Sequence, residues 1–278
     1  MNTIKIFILM FLMTLLFIFV GDLLGGTGGM IYALVVAFLM NFFMYWFSSS
    51  LVLKMYGAKI VDESSAPELY NLIKEVAIQA NLPMPKVAII PQEAPNAFAT
   101  GRNHKNSVVA VTEGIMRILS KEELKGVIAH EFAHIKNYDM LIGTIAATFA
   151  AAISILPRLF LFFGGGRDRD ERNPLGPIFA LVAMIVLPIV ALLIRMAISR
   201  AGEYRADETG AKFIKKPEAL ASALAKLHQA SQRIPLEGNE ATAHMFIVNP
   251  FTAKSLLNLF STHPPIEERI KKLRQLQV

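Results

Sequence analysis

The sequence predicts an α-helical membrane protein in which four transmembrane helices carry a mixed α/β domain outside the bilayer. Three observations lead there. Apolar residues make up 54% of the chain and mean hydropathy is +0.45, above the range of an ordinary water-soluble domain. They concentrate in four runs, residues 4–20, about 30–53, 140–163 and 177–199, each near the roughly 20 helical residues that cross about 30 Å of hydrocarbon. The long intervening stretches, 54–139 and 200–278, are polar and show helix and strand periodicities.

The first run opens with a single basic residue, Lys5, and "GDLLGG" after it offers no A-x-A cleavage site, so an uncleaved helix is expected rather than a signal peptide. "GDLLGGTGG" (21–29) reads as a short turn, because its glycines fit no phosphate-loop spacing. Pro157 and Pro188 fall within the third and fourth runs as tolerated kinks; Arg195 lies near a helix end where it can snorkel, and Arg158 accompanies Pro157. Between those runs, 164–176 is a charged loop whose three arginines are balanced by three acids. An even number of spans returns both polar stretches to the side of the N-terminus. Lys54, Lys59, Lys121, Lys125, Lys136, Arg200 and Arg205 flank the spans there and mark it as cytoplasmic, against the dissent of Arg167, Arg169 and Arg172.

Net charge is +6 with a pI near 9.5. The basic residues are interleaved with acids and form no tract, so a nucleic-acid partner is excluded and the excess reads as membrane orientation. Cysteine is absent, which removes disulfides and thiolate chemistry and leaves His, Asp and Glu for any metal site.

Within the polar stretches, "SSAPELYNLIKEVAIQA" opens at Ser65 and places Leu69, Leu72, Ile73 and Val76 on one helix face. "KVAII" is strand-like, and "NAFATG" and "SVVAVTEGI" joined through "RNHKN" read as a β-hairpin. "PEALASALAKLHQAS" is a helix, 232–250 a loop of turn formers, and "PPIEERIKKLRQL" a basic C-terminal helix.

The chemistry concentrates in "KEELKGVIAHEFAHIKNYDM" (121–140). Ser120 followed by Glu123 is a capping box, so a helix starts at Lys121 with Leu124, Val127, Ile128 and Ile135 facing a core. His130 and His134 then stand one turn apart, where two imidazoles reach one Zn²⁺, and Glu131 is rotated off the pair, placed to take a proton from water. A catalytic zinc needs a third protein ligand. "SRAGEYRADETGA" (199–211) offers Glu203 and Asp207, also at i and i+4: one carboxylate for the metal, one for a ligand histidine's other nitrogen. Two spans separate His134 from Glu203, so both lie on one side of the membrane.

"HEFAH" followed by "EYRAD" after a pair of spans, with two N-terminal spans, "NAFATG" upstream and "THPPIEERI" near the end, resembles the HtpX-type membrane zinc metalloproteases, relatives of the CAAX prenyl proteases. The resemblance covers essentially the whole chain. It implies a zincin-like catalytic domain with one catalytic Zn²⁺ on His130, His134 and Glu203, Glu131 as general base and acid, and Asp207 orienting a ligand histidine. Asn96 would lie near the site, and the hairpin's outer strand, around Val108 to Val111, would pair with an extended substrate. His263 and Arg269 match the family's His-Pro and Arg pair, and His263 is assigned to steadying the oxyanion. His104, His228 and His244 match no motif.

The expected organisation is two spans in 1–53, the first part of the catalytic domain in 54–139, two spans in 140–199 and the second part in 200–278. The resemblance implies a protease that hydrolyses misfolded or damaged membrane proteins in a stress response, at the cytoplasmic face of a bacterial plasma (inner) membrane with both termini cytoplasmic; its partners are the lipid bilayer and membrane-protein substrates. An intramembrane protease would carry the motif inside an apolar run, whereas charges surround this one. A CAAX-type prenyl protease would need about seven spans. A zinc-binding scaffold or transporter is the rival of a different class, disfavoured by the few ionisable groups within the spans.

Overall fold

An apolar run broken by the glycine-rich stretch 21–29 folds back on itself at the N-terminus. In the computed structural model, which describes residues 2–145, 200–231, 247 and 264–278, helix α1 (Asn2–Met55) breaks at Gly25 and Gly26, where φ 55° and ψ −147° suit only glycine. The two arms, Ile4–Asp22 and Gly25–Met55, are each long and apolar enough to cross a membrane. They pack antiparallel: Asn41 Nδ2 donates to Thr14 Oγ1 at 2.8 Å and to the Met10 carbonyl at 3.3 Å. A Cβ on Gly21 would meet the Gly29 carbonyl and Ala33 Cβ at 2.5 Å. The turn expected over 21–29 is thus reduced to two glycines.

The second arm has 31 residues, about ten more than one crossing requires. The surplus packs on a sheet. Val52 and Tyr56 are buried with Ala88, Ile90, Phe98, Val108 and Ala110 on one sheet face. That sheet has the order β1-β2-β4-β3, formed by Lys59–Val61, Lys86–Ile90, Asn106–Thr112 and Ala97–Asn103. β4 pairs in parallel with β2 and antiparallel with β3.

This order corrects one expectation. Val108 to Val111 is not the outer strand. β4 is hydrogen-bonded along both edges and buried on both faces, which is what its unbroken apolar run "VVAV" demands. The edge strand is β3, whose far end carries Gly101 and Asn103 and a register irregularity. β4 also stops at Thr112, whose side chain accepts from Ile115 N–H and starts the short helix α3 (Glu113–Ile118) where continued strand was expected. β1, only three residues long, gave no periodic signal.

The opposite sheet face receives the helices. α2 (Pro67–Ala80) buries Leu69, Leu72, Ile73 and Val76 as spaced, while Ser65 turns back to hydrogen-bond Asp62 and Ala66 takes the cap position. α4 (Lys121–Asn137) opens with the expected capping box and buries Leu124, Val127, Ile128 and Ile135. Two of its charges are buried too: Lys125 pairs with Glu75, and Glu123 accepts from Ser222 and Lys226. Burial works against the Glu123 charge, but Lys226, Ser222 and Ser120 hold its carboxyl down to about 2.

α5 (Arg200–Ile214), α6 (Pro217–Ser231) and α7 (Ile266–Gln275) complete the layer, with α5 and α6 packed on α4 and α7 on α6. Helical residues resume at 139, and Leu141, Ile142 and Ile145 pack with Ile6, Leu9, Met13 and Met44 of the two arms. The rest of the expected third span, all of the fourth, the loop 164–176, and 232–250 apart from Ile247 lie outside the described residues, as do Pro157, Arg158, Pro188, Arg195, His244 and His263.

α4 and α5 approach closely because Gly210 has no side chain: a Cβ there would lie 2.8 Å from His130 N and 2.9 Å from the Ala129 carbonyl group. Gly210→Ala should therefore cost about 1–3 kcal/mol in thermal or denaturant unfolding and weaken metal binding, since α5 must move away from α4. Gly28→Ala, where nothing lies within 4 Å of the added carbon, should leave both unchanged.

Candidate active site

The site forms where α4, α5 and α7 meet the open edge of the sheet. The helical spacing of His130 and His134 sets their Nε2 atoms 3.1 Å apart, and α5 brings Glu203 to 3.7 Å from the first and 3.5 Å from the second. Donor atoms of these three side chains all lie within 4.8 Å of one another. Tetrahedral zinc with bonds of about 2.0–2.1 Å requires ligand separations of roughly 3.3 Å, so the set is already arranged as such a site demands.

The outer nitrogens strengthen this fit. His130 Nδ1 lies 2.9 Å from Asp207 Oδ1, and His134 Nδ1 lies 3.4 Å from Asp139 Oδ2. Each carboxylate favours the proton on Nδ1, which turns the lone pairs of both Nε2 atoms toward each other and toward a carboxylate. Three facing acceptors need a cation between them. Burial alone would lower the His134 imidazole, but the Asp139 hydrogen bond and the charges of Glu203, Glu131 and Asp139 outweigh it and raise it to about 9. Without a metal, a proton on His134 is what offsets the surplus negative charge.

Glu131 points toward the sheet. Its Oε2 accepts from the backbone N–H of Ala99 on β3 at 2.8 Å, and burial pushes its carboxyl up, against the pull of His130 and His134. A base so raised sits nearer the neutral range in which proton transfer to and from water is efficient. Because N–H and C=O of one strand residue point to the same side and alternate along the chain, Ala97 and Gly101 turn their peptide groups to the same outer edge as Ala99. No other strand pairs with that edge among the described residues.

Behind Asp207 stands Arg269, fully buried, donating from Nε and Nη2 to both carboxylate oxygens at 2.8 and 2.7 Å. Burial would favour neutral forms of both, but each charge holds the other: Asp207 is lowered and Arg269 raised. Arg269 Nη1 also donates to the Ile247 carbonyl at 3.1 Å and lies 3.7 Å from Glu203. Removing either partner of such a pair leaves a buried charge and costs about 3–5 kcal/mol. Asn96, also buried, accepts from Ile247 N–H at 3.2 Å. The two residues expected near the site therefore meet at the backbone of one residue, Ile247.

Ile247, Asp139 and the Ala99 contact carried no signal in the sequence. Asp139 reaches His134 only because Tyr138 adopts a left-handed backbone (φ 61°) past the end of α4. Of the histidines without a motif, the two among the described residues make other contacts: His104 stacks on Tyr138, and His228 faces Glu267 at 3.8 Å.

A pH dependence follows. Below about 9 the metal-free protein keeps a proton on His134, and a metal must expel it. Zinc affinity should rise by up to about tenfold per pH unit until that value and then level off, with proton release detectable by calorimetry in buffers of different ionisation enthalpy. Affinity unchanged between about pH 6 and 8 would contradict this arrangement.

A family model described as peptidase family M48 matches residues 63–277. A protease HtpX homolog of Thermodesulfovibrio yellowstonii is 56% identical over 278 residues, 99% of each chain. Another from Pyrococcus furiosus is 55% identical over 275 residues, 97% of this chain and 94% of its own. The crystal structure of S. mikatae Ste24p shares the fold with a TM-score of 0.56 at 18% identity; the match covers 93% of this chain and 61% of that longer one. With the site's geometry, these similarities carry one conclusion: the chain belongs to peptidase family M48 and is a membrane-bound metalloprotease.

Proposed function

We propose that the chain is an endopeptidase for misfolded or damaged membrane proteins, working at the cytoplasmic face of a bacterial plasma (inner) membrane with one zinc ion held by His130, His134 and Glu203. The observation that carries this reading is the convergence of two imidazoles, Glu203 and a raised carboxyl, Glu131, beside a strand edge with which no other strand pairs among the described residues. When bound, the ion supplies Lewis-acid activation of water and of the scissile carbonyl. The chain's own residues do the rest. The β3 edge pairs with an extended substrate through its outward peptide groups, which accounts for loose side-chain selectivity. Glu131, held at Oε2 by Ala99, takes the water's proton at Oε1 and passes it to the leaving amide nitrogen. Asp207 keeps His130 in the tautomer that presents Nε2, Arg269 holds Asp207, and Asn96 positions the segment at Ile247. His263 is assigned to steadying the oxyanion.

The same reading places four spans in the bilayer, the third from residue 140 and the fourth ending at 199, with 54–139 and 200–278 composing the catalytic domain and both termini on its side. Two measurements test it. Purified protein should degrade an unfolded protein, lose that activity to a chelator and regain it with about one equivalent of zinc. Failure to cleave with zinc bound would favour the scaffold reading. Because the natural chain lacks cysteine, single Lys74→Cys and Gly28→Cys variants report sidedness to an impermeant maleimide in intact cells. Gly28→Cys should label and Lys74→Cys should not; the reverse pattern would overturn the cytoplasmic placement.

A further inference from the structure

Three contacts fix where the β3–β4 hairpin sits relative to the apolar helices. The Arg102 guanidinium lies 4.1 Å over the ring of Trp46. His104 stacks on Tyr138 at 4.3 Å, and its Nε2 lies 3.2 Å from the Lys136 carbonyl oxygen. Thr100 Oγ1 meets Thr144 Oγ1 at 2.9 Å.

The first two contacts mark the same depth. Counting about 20 residues from the glycine break brings the second arm of α1 to Trp46, after which Ser48, Ser49, Ser50 and Lys54 take over. Tyr138 stands two residues before the apolar run that starts at Met140, and Leu141 and Ile142 pack at the level of Ile6 and Met44. A tryptophan and a tyrosine at the ends of apolar helices are the usual occupants of the headgroup layer. The hairpin turn therefore lies at that layer, and it is basic: Arg102 is half-buried against Trp46, while Lys105 is exposed.

We propose that the β3–β4 turn is a headgroup-binding element, in which Arg102 and Lys105 take the phosphate of anionic lipids and so seat the open edge of β3 at the bilayer surface. Ala99, whose N–H holds Glu131, is three residues from Arg102, about 10 Å of extended strand. A substrate segment pairing with this edge would be cut where it leaves the lipid. The inference rests on the reading that the arms of α1 cross a bilayer.

Trp46 is the chain's one tryptophan, so its fluorescence reports from inside the proposed site. The full-length protein is reconstituted in mixed vesicles in which either phosphatidylglycerol or phosphatidylcholine is brominated near the headgroup end of its acyl chains. At equal mole fraction, phosphatidylglycerol should win the positions around Trp46 by about fivefold per basic residue, and added salt should shrink the preference. Lys105→Gln, a surface change that disturbs no packing, should lower the preference by about fivefold, and Arg102→Gln with Lys105→Gln should bring it to parity. Equal quenching by both lipids in the natural sequence, or a preference unchanged in Lys105→Gln, would overturn the proposal. A preference abolished by inorganic phosphate at constant ionic strength would reassign the site to a soluble anion. No quenching by either lipid would instead sink the bilayer placement of α1 itself.

Discussion

The buried pair of Asp207 and Arg269 is the constraint on which the rest of the site depends. It joins a residue of α5 to one near the end of the chain, and through Asp207 Oδ1 it reaches His130 on α4. Neither charge could be buried alone. Once the two are matched bidentately, α5 is fixed in rotation, and Glu203, one turn earlier on the same helix, faces the two Nε2 atoms. Charge balance completes the argument. Glu131, Glu203, Asp207 and Asp139 surround the histidines, and Arg269 neutralises only part of them. Against that one guanidinium the four carboxylates leave three negative charges, of which a divalent cation would offset two.

Much of this was legible in the chain because it is local. The capping box, the i and i+4 histidines, the hairpin and the Pro67 helix each follow from spacings within about a dozen residues, and the helices fold where those spacings put them. The parts that were not legible depend on neighbours distant in sequence. Val108 to Val111 reads as half of a hairpin, and nothing within the hairpin says that β2 will occupy its other side and make β3 the edge. Asn96 and Arg269 were placed near the site only through resemblance. Their shared contact with Ile247 joins residues 151 and 22 positions apart, which no periodicity encodes.

The surplus length of the second α1 arm has a structural use. A helix that merely crossed the bilayer would end near Trp46; this one continues and buries Val52 and Tyr56 against the sheet. The catalytic domain is thereby packed on its own apolar helix rather than tethered by a linker, and the hydrogen bond between Thr100 and Thr144 ties the edge strand to the helical residues that resume at 139. Domain and edge strand are thus joined to the apolar helices by packing and a hydrogen bond.

Central to the proposed function is a division of labour in which His130, His134 and Glu203 would bind the ion and Glu131 would move the proton. The direct measurement compares Glu131→Gln with Glu203→Ala in a single preparation, counting bound zinc and following cleavage of an unfolded protein. Glu131→Gln should keep about one zinc and lose about 10²–10⁴-fold in rate, while Glu203→Ala should lose both metal and activity. Cleavage by Glu131→Gln at the natural rate, or full zinc retention by Glu203→Ala, would contradict that division.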